Sequence, residues 1–154
     1  MPPPTNPGAL SWPLSSPRVG QPFCEYLAGG KHLGIDIYST NTDVLAAADG
    51  TVTRTGFLCT DPYSHLGNYV TLSHNIQGKP YTTDYFHLAS IDVAVGDSVN
   101  KGQKIGTMGN TCTGDVHLHF ALKQGATYTN PCLFLPEGAG GIGCPTTPAT
   151  CSGF

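Results

Sequence analysis

The chain has 154 residues, of which 39% are hydrophobic and 11% charged, and its formal net charge is −3. That is one ordinary domain with enough apolar residues for a real core, which excludes intrinsic disorder. Lys and Arg are few and scattered, so no basic stripe offers itself to nucleic acid, and no stretch is long and apolar enough for membrane insertion.

The 20 Gly and 13 Pro make turns frequent and argue against long helices. Residues 1–10 read as a flexible, Pro-rich lead-in, and residues 11–154 as a single domain whose Cys-containing tail starts at about 138. Ser11–Leu14 opens the fold, and 24–30 reads as a loop. His32–Tyr38 is strand-like. Asp49-Gly50 signals a turn before a strand at 51–55, and 57–66 reads as a loop insertion carrying Cys59. A strand at 68–73 leads through a Gln77-Gly78 hairpin into another at 80–88. Short strands are expected within 93–99 and 101–106. Residues 116–123 alternate cleanly, with Val116, Leu118 and Phe120 on one face, until Asn130-Pro131 stops the run. The fold class is therefore all-β with little helix.

Six cysteines stand at 24, 59, 112, 132, 144 and 151. None forms a C-x-x-C pair, and an even, dense set points to disulfides made in an oxidising compartment. Sequence does not choose the pairing, although Cys144 with Cys151 would close a short Pro/Thr loop. The start Met1-Pro2-Pro3-Pro4 has no signal-peptide character, so the cysteines imply a secreted or periplasmic chain whose signal has been removed.

Four of the six histidines fall into three short signals. His117 and His119 are two apart on a strand and share a face. His32 and Asp36 are four apart and share a face on either a strand or a helix. His87 follows Tyr85-Phe86. A catalytic zinc site takes three N or O ligands and keeps one position open. His32, Asp36 and one of the 117/119 pair supply that set, which leaves the other His free for acid–base work. His65, in a polar loop, and His74, at a strand end, carry no ligand expectation.

Five segments in order carry a resemblance: His32-Leu-Gly-Ile-Asp36, Gly67–His74, Tyr85-Phe86-His87-Leu88, Val95–Gly106 and Thr113-Gly-Asp-Val-His117-Leu-His119-Phe120. From about residue 28 to 135 the chain resembles the lysostaphin-type zinc endopeptidases, which act on bacterial peptidoglycan. The resemblance implies a groove-bearing antiparallel β-sheet or sandwich of the duplicated hybrid-motif kind. It assigns one Zn²⁺ ion to His32, Asp36 and His119, and makes His87 and His117 the catalytic histidines. The implied reaction is hydrolysis of a cross-bridge or stem-peptide amide. His117, or else His87, takes the water proton and the remaining histidine supports the oxyanion. A tyrosine often assists there; Tyr26 is a candidate, although it reads more readily as a packing residue. A monomer is expected because a bulky polymer needs an open groove.

Three other readings have distinct signatures. A non-enzymatic secreted signalling or wall-binding relative would keep the metal ligands, but here both catalytic-type histidines are present. A cytosolic phosphocarrier domain of a sugar-uptake system shares the Val-Gly-Asp and Lys-Gly-Gln turns, yet does not suit six cysteines or Asp36. A Cys/His wall peptidase needs a free thiol.

Overall fold

The computed structural model describes residues 8–27, 30–60 and 65–151. Most of the Pro-rich lead-in lies outside them. Tyr26 and His65 fall outside the residues whose side chains are described.

The spine of the molecule is one large, open, mixed sheet. Its central strands are β4 (Ile35–Tyr38), β6 (Gly50–Cys59), β7 (His65–Ile76), β8 (Lys79–Ile91) and β11 (Leu118–Gln124), and all pairings among them are antiparallel. They run in the order β4-β11-β8-β7-β6. β1 (Arg18–Gln21) extends the β4 edge and takes β13 (Gly140–Gly141) in parallel. β9 (Ser98–Val99) closes the β6 edge. β5 (Asp43–Leu45) and β10 (Lys104–Met108) pair with each other, and β10 also joins β8. β12 (Thr127–Thr129) returns along β11. β2 (Tyr26–Leu27) and β3 (Gly30–Lys31) form a separate small hairpin. Helix among the described residues is one 3₁₀ turn, Pro131–Leu133, capped by the Asn130 side chain.

Strand alternation sorts the central sheet into two faces. On the inner face Ile35, Ile37, Leu118, Phe120, Leu122, Tyr85, Val70 and Leu72 are all fully buried. They share one cluster with Leu10, Leu14, Val44, Ile105 and Phe134 from the opposing layer. The outer face carries Asp36 and Tyr38 of β4, His119 and Lys123 of β11, Asp84 and Phe86 of β8, and Tyr69 and Thr71 of β7.

Several sequence expectations are corrected. Both ends of the presumed loop 57–66 are strand: β6 runs to Cys59 and β7 begins at His65. The expected Gln77-Gly78 hairpin, by contrast, is present: Gln77 (φ 53°) and Gly78 (φ 80°) make a two-residue turn that demands left-handed backbone at both positions. Residues 93–97 form no strand, because Gly96 and Asp97 instead bond back to Val52. Val116 is 49% exposed and does not continue the buried alternation of Leu118 and Phe120, since the strand starts only at Leu118.

The disulfides join Cys24 to Cys151, Cys59 to Cys112, and Cys132 to Cys144. The Cys144–Cys151 pairing is therefore wrong: Cys151 ties the tail to Cys24, 127 residues away, and Cys144 ties it to the 3₁₀ turn at Cys132. No described cysteine is free, which removes the thiol-peptidase reading.

Candidate metal and catalytic site

β4 and β11 pair with Asp36 directly opposite His119, so their side chains meet on the outer face. His32 arrives from just before β4. The small hairpin places it by backbone bonds from His32 N to Glu25 O and from Cys24 N to His32 O. Gly34 allows the close crossing: a Cβ there would stand 2.5 Å from the Phe120 carbonyl and 2.8 Å from His119 Nε2.

The result is a compact triangle. His32 Nε2, Asp36 Oδ1 and His119 Nδ1 are each 3.1 Å from the other two. His32 Nδ1 donates to the Pro22 carbonyl at 2.9 Å, so the neutral ring turns a lone pair toward the triangle. Two imidazole nitrogens and a carboxylate oxygen facing one another at this distance repel unless a proton or a cation lies between them. Zinc–ligand bonds of about 2.0–2.1 Å in a tetrahedron require ligand edges of about 3.3–3.4 Å. The donor set and its spacing fit a zinc-type ion, and among the described residues these three form the one such group.

The charges agree with this arrangement. Burial opposes ionisation of Asp36, but its contacts with His119 and His32 outweigh burial and hold the carboxyl well below the ordinary range. Burial pushes His119 down despite Asp36. Burial also works on His32, but there the Asp36 contact wins and the pKa rises.

Two further histidines border the triangle. His117 precedes β11 and is held by an isolated bridge to Gly109. Its Nδ1 lies 3.1 Å from the Asp115 carbonyl and 3.3 Å from Asp115 Oδ1, and its Nε2 lies 3.6 Å from Asp36 Oδ1. His87 owes its position to a β-bulge: β8 pairs with β7 through Tyr85↔Val70 and Leu88↔Asn68, so Phe86 and His87 together face the single residue Tyr69. His87 consequently takes φ 69°, rare for a non-glycine residue and a mark of backbone held for a purpose. Its Nδ1 donates to the Thr111 carbonyl at 3.0 Å. Burial, with His117 nearby, lowers its pKa to about 4. The two rings stand 4.9 Å apart between centroids.

These five side chains line one open groove of about 470 Å³. Sequence reasoning missed the residues that orient them. Thr111 Oγ1 donates to the Leu88 carbonyl at 2.8 Å and accepts from Asn68 N at 3.1 Å, and the neighbouring Cys112 is bonded to Cys59. Tyr38 OH donates to Asp115 Oδ2 at 2.7 Å, and burial together with Asp115 pushes the phenol up to about 12. The acid two residues before His117 was the available signal, but nothing in the sequence marked Thr111.

His74 is not a strand-end turn residue. It lies on the inner face of β7 and is 5% exposed. Its Nδ1 donates to the Asp49 carbonyl at 2.8 Å, and its Nε2 accepts from Thr83 Oγ1 at 2.7 Å. It stands apart from the group of metal-type ligands.

Residues 30–131 match Peptidase family M23. The chain is 39% identical over 117 residues to the peptidoglycan DD-endopeptidase ShyA of Vibrio cholerae, covering 72% of this chain and 25% of that protein. It is 33% identical over 130 residues to the murein hydrolase activator NlpD of Salmonella dublin, covering 84% and 32%. The catalytic domain of lysostaphin from Staphylococcus simulans superposes with a TM-score of 0.61 at 29% identity, covering 74% of this chain and 88% of that domain. The chain thus spans a third or less of these two curated relatives. Three disulfides, and relatives that act on the cell wall, point to an extracytoplasmic setting. The chain belongs to the M23 metallopeptidase family, alongside a relative named as a peptidoglycan endopeptidase and another named as a murein hydrolase activator.

Proposed function

We propose that the protein is a secreted zinc endopeptidase that hydrolyses peptide bonds of bacterial peptidoglycan. The observation that carries this reading is the pairing of the His32/Asp36/His119 triangle with two non-ligand histidines in the same groove. Zinc bound to those three residues supplies Lewis acidity toward water and the scissile carbonyl.

The chain's own residues do the rest. His117 has its Nδ1 turned to Asp115, so its Nε2 is presented to the groove as a proton acceptor. The Asp115 carboxylate then steadies the imidazolium that forms, and the proton passes to the leaving amine. His87 has its Nδ1–H committed to Thr111, so its Nε2 also faces reactants. As a neutral ring it accepts a hydrogen bond from the attacking water and so orients it, while the proton that leaves that water is the one His117 takes and passes to the leaving amine.

Similarity to a protein named as a murein hydrolase activator favours a second reading, in which the groove binds the wall without cutting it. Purified peptidoglycan separates the two. On the first reading, the zinc-loaded protein releases free amino groups, a chelator stops the release, and fragment masses name the bond. Zinc-loaded protein that binds walls but releases nothing supports the second.

A further inference from the structure

The outer face of the sheet does not end at the metal-type triangle. Phe86 stacks on His119 with centroids 5.1 Å apart and planes 7° apart, and it also lines a second cleft of about 300 Å³. That is the lower end of the size range of small-molecule sites, about 300–1,000 Å³.

The floor of this cleft is Asp84, only 9% exposed and flanked on β11 by the small Ala121. Thr71 Oγ1 donates to Asp84 Oδ1 at 2.6 Å. Asp84 Oδ2 takes no hydrogen bond among the described residues, although the carboxylate sits at a depth where burial disfavours its charge. Two cations stand on the walls without closing an ion pair on it. Arg54 lies 5.9 Å above the Tyr69 ring and Lys123 lies 5.0 Å from the Tyr128 ring, so aromatic faces hold them in place. One deep anion and two separately held cations in one cleft are not needed for packing. They match a ligand that carries both signs of charge close together.

We propose that this cleft is a subsite for an α-amino-acid head group of the substrate, one with a free ammonium and a free carboxylate on the same carbon. The ammonium meets Asp84 Oδ2, and the carboxylate meets Arg54 and Lys123. The shared Phe86 wall sets the distance between this head group and the bond at the triangle. The subsite deepens the peptidase reading and rests on it for its biological meaning, but its chemistry can be tested without turnover.

The probe is Nε-acetyl-lysine of either hand, followed by residue-resolved NMR titration of the zinc-loaded protein. Saturable shifts are expected at Thr71, Asp84 and Lys123. Acetylating the α-amine or amidating the carboxylate should weaken binding about tenfold or more, as loss of a charge-assisted hydrogen bond does. Asp84→Asn and Lys123→Met should do the same with bound zinc unchanged. The Lys123→Met arm stands even if the buried Asp84→Asn variant fails to fold. Equal binding of the blocked probes, shifts confined to other residues, or no saturable shift overturns the subsite. Head-group binding by a protein that cuts no peptidoglycan would overturn the peptidase reading and leave the subsite standing.

Discussion

The two faces of one sheet use histidine in opposite ways. On the inner face, His74 has both ring nitrogens satisfied, by a backbone carbonyl and by Thr83, whose hydroxyl in turn lies 2.9 Å from the Tyr85 phenol. On the outer face, His32, His117 and His87 each tie Nδ1 to a backbone carbonyl and leave Nε2 pointing at shared space. A histidine whose two nitrogens are both closed off by inner-face groups contributes to stability, whereas one whose Nε2 faces the groove keeps that nitrogen for metal or proton chemistry. What Nε2 faces, not burial, separates the groups: for His74 it is the Thr83 hydroxyl, for His87 and His117 it is the groove, and the three are 5%, 7% and 5% exposed.

Substitutions can break this division, beginning with the strongest. His119→Ala removes one corner of the triangle and should reduce both bound zinc and wall hydrolysis to background, read by metal analysis and amine release. His117→Ala should keep the zinc and cost about 10²–10⁴ in rate, the usual range for a lost general base. Replacing Cys59 and Cys112 by Ser frees the loop that carries Thr111 and should cost about 2–4 kcal/mol in urea unfolding, with a smaller loss of rate as His87 loses its anchor. His74→Ala should leave zinc stoichiometry unchanged while costing about 1–3 kcal/mol, because the Asp49 carbonyl and Thr83 lose a buried partner.

Acid sharpens the same contrast. Burial lowers the folded-state pKa of His74 from 6.5, so below that pH the unfolded chain takes up the proton first. The stability His74 contributes is complete above about pH 6.5 and declines as pH falls toward its folded value. The gap between wild type and His74→Ala, measured by urea titration, should therefore narrow as pH drops from 7 toward 5. A gap that widened would mean that His74 is charged in the folded protein.

Much of the outer face was legible in the sequence because strand period places residues without knowledge of their neighbours. His119 and Asp36 lie on alternating strands, and the geometry then needs only the β4–β11 register to bring them together. His87 was legible only by resemblance, since its position depends on a bulge and a left-handed backbone that no local residue pattern announces. His74 went astray for a related reason: the hairpin arms extend to Ile76 and Lys79, so a residue expected at a strand end sits inside one. The disulfides were unreadable because spacing does not choose a pairing: two of them join segments 127 and 53 residues apart, and the third joins the 3₁₀ turn to the tail only 12 residues on. Val116 failed because alternation predicts a face only where a strand exists, and β11 begins two residues later.

One variant measured two ways tests the division between metal ligands and catalytic histidines most directly. His117→Ala should bind one zinc per chain, as the wild type does, and release amino groups from purified peptidoglycan at about a hundredth of the wild-type rate or less. A variant that loses its zinc would make His117 a ligand, and one that keeps the full rate would remove it from the chemistry; either result contradicts the division of labour drawn here.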